Sequence, residues 1–100
     1  MGDMVKLAEK EIMRGELLRL CREAAPIGCS TQVLGAALRK AGLDTEEMDK
    51  ELYYLKGKGL LQREHTENRR LGISRDIYFI TAAGMDYLDG NGLDLPGIEV

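Results

Sequence analysis

Residues 4–24 place Ala8, Ile12, Met13, Leu17, Leu20, Cys21 and Ala24 three and four positions apart, with one glycine and no proline in the stretch. That spacing predicts a long amphipathic first helix, which Pro26 and Gly28 end. Ser30 or Thr31 then caps a second helix, in which Leu34, Ala37, Leu38 and Ala41 fall at i, i+3, i+4 and i+7 before Gly42 stops it. A very short link follows. Asp44, with Glu47 three residues on, has the form of a capping box for a third helix whose buried stripe is Met48, Leu52 and Leu55. Gly57 and Gly59 close that helix.

After Gly59 the period changes to two. Leu61, Arg63 and His65 point one way and Gln62 and Glu64 the other, as in a half-buried strand. Residues 67–75 read as a polar loop, and Ile77, Tyr78, Phe79 and Ile80 as a second strand, rich in β-branched and aromatic side chains. The pair predicts a hairpin with a long tip. Thr81 caps a short fourth helix that carries Met85 and Leu88 and stops at Gly90, while residues 91–100 show no periodicity. The chain has 100 residues, 44% of them apolar and 31% charged, enough for one self-sufficient core. The expected organisation is one domain over residues 1–90 and a flexible or partner-docking tail over residues 91–100.

Three helices, the last two joined by a tight turn, then a two-stranded β-hairpin and a short closing helix make an α+β, mostly helical chain. Its element order is that of a winged helix-turn-helix. The runs Leu52-x-x-Leu55-x-x-x-Gly59-Leu60-Leu61 and Thr81-x-x-Gly84-x-x-x-Leu88 resemble the pattern shared by small bacterial, archaeal and phage winged-helix regulators, over residues 10–90. In those proteins the first run joins the third helix to the wing and the second starts the closing helix. A narrower resemblance is to a family of small winged-helix proteins of Mu-like phages and prophages. It rests on the Leu-rich first helix, on Leu52-Tyr53-Tyr54-Leu55 and on a tail like Leu95-Pro96-Gly97-Ile98. The resemblance implies the fold and a phage or prophage origin and carries over no site; the wing of this chain is longer and more basic than that family's.

A formal charge of -3 and an isoelectric point near 5.2 count against a dedicated nucleic-acid binder, for which a value above ~9 is expected. Location changes the force of that objection. Residues 81–100 hold Asp86, Asp89, Asp94 and Glu99 with no lysine or arginine, so -4 lies there and residues 1–80 carry +1. In a DNA-reading winged helix the third helix enters the major groove. With Met48, Leu52 and Leu55 inward at about 100° per residue, Glu46, Lys50, Tyr53 and Gly57 turn outward, flanked by Asp49, Tyr54 and Lys56. Glu46, Glu47, Asp49 and Glu51 against Lys50 give the first turns -3. Such charge repels phosphate, and it also complements the helix dipole. Tyr53 and Tyr54, being adjacent, cannot share one buried face, so one of them is expected to pack against the wing or a partner.

In the wing, Arg63, Arg69, Arg70 and Arg75 against Glu64, Glu67 and Asp76 leave +1, with Arg69 and Arg70 at the tip. Arginine there suits phosphates or a minor groove. Ser30, Thr31 and Gln32 at the start of the second helix are phosphate donors or ordinary caps.

No catalytic constellation is expected, and so no enzyme. His65 is the only histidine, no metal or cofactor is implied, Ser30 and Ser74 lack a G-x-S-x-G setting, and Cys21 and Cys29 read as buried reduced thiols. The absence of a signal-like run, of a myristoylation signal (Lys6 stands where Ser or Thr is wanted) and of an apolar stretch of ~18 residues points to a cytoplasmic protein without a membrane span. The leading expectation is a regulator of transcription that binds double-stranded DNA. Lys50, Tyr53 and Lys56 would meet the major groove, Arg69, Arg70 and Arg75 would hold the backbone, and Met4, Val5 and Leu7 of an overlong first helix would join a homodimer. The rival is a protein–protein interaction module, in phage assembly or a larger complex, that uses an acidic third helix.

Overall fold

A computed structural model describes residues 2–90, with side chains from Met4 onward. The chain is α+β. In order come α1 (Gly2–Glu23), β1 (Cys29–Ser30), α2 (Thr31–Lys40), α3 (Met48–Gly57), β2 (Leu61–Asn68), β3 (Ile73–Ile80) and α4 (Ala82–Leu88). The strands form one antiparallel sheet in the order β1-β3-β2. The expected tail, with its Leu95-Pro96-Gly97-Ile98 run, lies outside the described residues.

The core draws Met13, Leu17, Leu18 and Cys21 from α1, Leu34 and Leu38 from α2, and Met48, Leu52 and Leu55 from α3. Cys29, Leu60, Leu61 and Tyr78 close it from the sheet side. Each fully buried leucine contributes roughly 2 kcal/mol of hydrophobic stabilisation. The inward stripe of α3 is the one its spacing predicts; that of α2 turns Leu34 and Leu38 inward but leaves Ala37 half-buried and Ala41 exposed beyond the helix end. That of α1 is shorter: Met4, Val5, Leu7 and Ile12 are exposed, as is Ala8. Length accounts for this. A 22-residue helix spans about 33 Å against about 15 Å for a ten-residue one, so α1 outruns the layer of α2 and α3 that covers its other half.

Three local expectations change. The Asp44–Glu47 capping box does not form: α3 begins at Met48 with Glu47 as an N-cap that makes no side-chain cap bond, and Asp44 Oδ1 instead accepts from the Glu46 N–H at 3.0 Å. A two-residue strand, β1, precedes α2 and pairs Cys29 with Tyr78 and Ser30 with Ile77. The hairpin is longer and its tip shorter than the sequence suggests, because β2 and β3 pair continuously from Leu61↔Ile80 to Asn68↔Ile73. Only residues 69–72 are left to turn.

Caps fix the remaining ends. Ser30 Oγ accepts from the Val33 N–H at 3.3 Å and starts α2. Gly59, at φ +77°, turns the chain out of α3 in a conformation that a side chain would strain. The run after it interlocks with the start of α4. Thr81 donates its hydroxyl to the Gly59 carbonyl at 2.7 Å, donates its N–H to Leu60 O at 3.2 Å and accepts from the Gly84 N–H at 3.0 Å. A Cβ on Gly84 would sit 2.4 Å from the Leu60 carbonyl oxygen. The two sequence runs at residues 52–61 and 81–88 are therefore halves of one joint, which clamps the base of the hairpin to the helices.

Candidate nucleic-acid interface

On α3 the buried stripe leaves Asp49, Lys50, Tyr53 and Lys56 exposed at i, i+1, i+4 and i+7. Lys50, Tyr53 and Lys56, the residues singled out for base reading, thus share one solvent face. Tyr53 is 72% exposed. Lys50 is tied at 3.1 Å to Glu47, one turn back. Glu46 precedes the helix in a turn and is not on this face.

Glu51 is the main departure. It is 3% exposed and accepts from Arg14 Nε of α1, where the sequence placed it among the acids that oppose phosphate. Arg14 also stacks its guanidinium 3.8 Å from the centroid of the Tyr54 ring, and Lys58 Nζ stands 5.5 Å from it. Of the two adjacent tyrosines, Tyr54 is the packed one: it lies against the core and carries the Arg14 guanidinium of α1 on its ring. Glu51, Tyr54 and Lys58 fall at i, i+3 and i+7, a second stripe along which α1 holds α3 by charge and ring stacking. With Glu51 neutralised inside and Glu47 bound to Lys50, the acidity of this helix toward solvent is smaller than its composition implies.

The hairpin divides its charges between two faces. Alternation puts Leu61, Arg63, His65 and Glu67 with Ile80, Tyr78, Asp76 and Ser74 on the face that continues the core. Gln62, Glu64, Thr66 and Asn68 with Phe79, Ile77, Arg75 and Ile73 lie on the other. Arg75 therefore belongs to β3 and to the face opposite Arg63, while Arg69 and Arg70 sit in the four-residue tip beside exposed Leu71. The predicted arginine cluster is thus a tip pair plus one cation on each face. At the foot of the inner face, burial pushes the Tyr78 phenol up, against the pull of neighbouring Arg63; Asp76 and Asp49 of α3 add to the rise.

Further out on that face, His65 Nδ1 lies 2.7 Å from Asp76 Oδ1, and His65 Nε2 lies 3.2 Å from Ser74 Oγ and 3.5 Å from Glu67 Oε1. Hydrogen bonds to Asp76 and then Glu67 raise the imidazole above its ordinary value. Sequence alone offers Ser74 no base partner, because residues 67–75 read as loop; paired β2 and β3 set His65 directly opposite Asp76. Burial, with a smaller contribution from Cys29, pushes the Cys21 thiol up to about 12, and burial also raises Cys29, so neither is an available thiolate at neutral pH. Among the described residues no group of three or more His, Cys, Asp or Glu is arranged to hold a metal ion. No described helix is long and apolar enough to cross a membrane. No protein-family model matches this chain, and no curated protein matches it either.

Proposed function

We propose that this chain is a winged helix-turn-helix protein that binds double-stranded DNA, with α3 in the major groove and the β2–β3 hairpin as the wing. The observation that carries the proposal is the exposed α3 face of Lys50, Tyr53 and Lys56. Its opposite side is fully committed to the core and to Arg14, and the helix leads through Gly59 directly into a hairpin tipped by Arg69 and Arg70. A helix held on two sides and bare on the third is what groove entry requires. Withdrawal of Glu51 from solvent weakens both the electrostatic objection and the rival, in which an acidic third helix docks a protein. A role in phage or prophage transcription rests on the sequence resemblance. The exposed Met4, Val5 and Leu7 of α1 support a homodimer through that helix.

Retardation of duplex fragments at ~50 mM salt, where phosphate contacts are strong, tests the reading. Binding should weaken steeply with salt. The double substitution Arg69→Ala and Arg70→Ala should weaken it for all sequences alike, with the salt slope falling by about 0.9 for each phosphate no longer neutralised. Lys50→Ala and Tyr53→Ala should change which sequences are preferred. No retardation of any duplex would overturn the reading.

A further inference from the structure

The inner face of the hairpin carries a geometry that DNA binding does not use. We propose that Ser74 is an activated surface nucleophile, with His65 as its general base and Asp76 as the group that orients the base, and that it takes an acyl group from activated carboxylic esters.

The assignment rests on which ring nitrogen meets which partner. Asp76 Oδ1 is 2.7 Å from Nδ1 and holds the ring proton there, which leaves the Nε2 lone pair to accept from the Ser74 hydroxyl at 3.2 Å. Nucleophile, base and orienter within hydrogen-bond reach, in that order around the imidazole, is the arrangement that activates a hydroxyl. The scaffold is strand rather than loop. His65 faces Asp76 in register and Ser74 lies two pairs further toward the tip, diagonal to His65, on the same face. All three side chains are open to solvent, so an ester has access to Ser74.

In the step, Ser74 Oγ attacks the ester carbonyl carbon as its proton passes to His65 Nε2. The tetrahedral adduct then collapses, the C–O bond to the leaving group breaks, and His65 returns the proton to the departing alcohol or phenol. The product is an O-acyl serine. The assignment includes no oxyanion donor, so acylation by a good leaving group is expected and rapid turnover is not.

Glu67 marks the difference between this site and a polar ladder. Its carboxylate lies 3.5 Å from Nε2, on the side where the base must be free, and it favours the protonated ring. The other charged group at the imidazole is Asp76, with Arg63 and Tyr78 further down the same face. The reactive form is the neutral ring, so labelling should rise with pH through the raised imidazole value.

The test uses p-nitrophenyl acetate as acyl donor, followed by peptide mass mapping. One acetyl adduct on Ser74 is expected. Ser74→Ala should remove it, and His65→Gln should slow it about a hundredfold, the lower range for a positioned general base. Asp76→Asn should lower both the pH midpoint of labelling and its plateau, because the tautomer is no longer fixed. Glu67→Gln should lower the midpoint and leave the plateau intact. Acetylation confined to lysines, or Ser74 labelling at an equal rate in His65→Gln, would overturn the proposal whether or not the protein binds DNA.

Discussion

Two contacts between a carboxylate and a nitrogen base organise this molecule, and they sit in opposite environments. Glu51 and Arg14 meet in the seam between α1 and α3, with side chains 4% and 13% exposed. Asp76 and His65 meet on the β2–β3 hairpin, at 36% and 49%. In the seam both charges have lost most of their water, so the pair is worth little against apolar residues of the same shape, yet removing one partner is costly. On the wing, solvent screens the interaction and each group keeps its hydration. The seam pair acts as a structural lock that sets the pose of α3. The hairpin pair lies outside the core, in solvent.

Breaking the seam should give the largest effect. Glu51→Gln removes the buried carboxylate that faces Arg14 and should destabilise the protein by about 3 kcal/mol, the lower end for a broken buried pair, read as a shift in the urea midpoint at unchanged slope. Arg14→Met with Glu51→Leu should recover most of that stability. A double variant no better than Glu51→Gln would show that the stacking of Arg14 on Tyr54, rather than the ion pair, holds the seam.

Next in size is the joint at the base of the wing. In Gly84→Ala the added carbon meets backbone at 2.4 Å and Ile80 Cγ1 at 2.8 Å, so strand and helix must part, at a cost of roughly 1–3 kcal/mol by denaturant titration. Gly35→Ala is the internal control. Its Cβ would meet Met48 Cε at an ordinary 3.8 Å and Arg39 Nη1 at 3.4 Å, and the gain in helix propensity should stabilise by roughly 0.5–1 kcal/mol. Opposite signs for two Gly→Ala changes on helices would separate close packing from propensity.

What the sequence made legible follows the same division. Period placed the helices and found the buried stripe Met48, Leu52 and Leu55, because apolar spacing is a local signal, while the cap expected at Asp44 did not form. The same local reading counted Glu51 among the acids that oppose phosphate, because its partner lies 37 positions away and a carboxylate in a first turn has a sufficient local reason in the helix dipole. The stripe Glu51, Tyr54, Lys58 was present in the spacing, but polar residues at helical period read as a solvated face. β1 was missed because two residues are too few to show a period. Ser74, Arg75 and Asp76 fell outside the expected strand because strand propensity weighs apolar, β-branched side chains, whereas the pairing of an exposed wing is carried by backbone bonds whatever the side chains are. Arg75 thereby moved off the tip, and Asp76 and Ser74 came beside His65.

The smallest effect expected is the dependence of stability on pH through His65, and it tests the wing half of the comparison. Hydrogen bonds to Asp76 first and Glu67 second raise the imidazole above the ordinary value of 6.5 that it has in the unfolded chain. The folded state therefore binds a proton more tightly than the unfolded state. The stabilisation is fully present below the unfolded value and is lost as pH rises through the higher folded value. Wild type should thus lose a little thermal stability, relative to His65→Gln, between slightly acid and slightly alkaline buffer. The amide signals of β2 and β3 should report the titration while those of the α1–α3 seam stay still. A pH response of equal size in His65→Gln, or one that spreads into the seam, would mean that the wing and the helical body are coupled more tightly than their separate faces and solvent exposures imply.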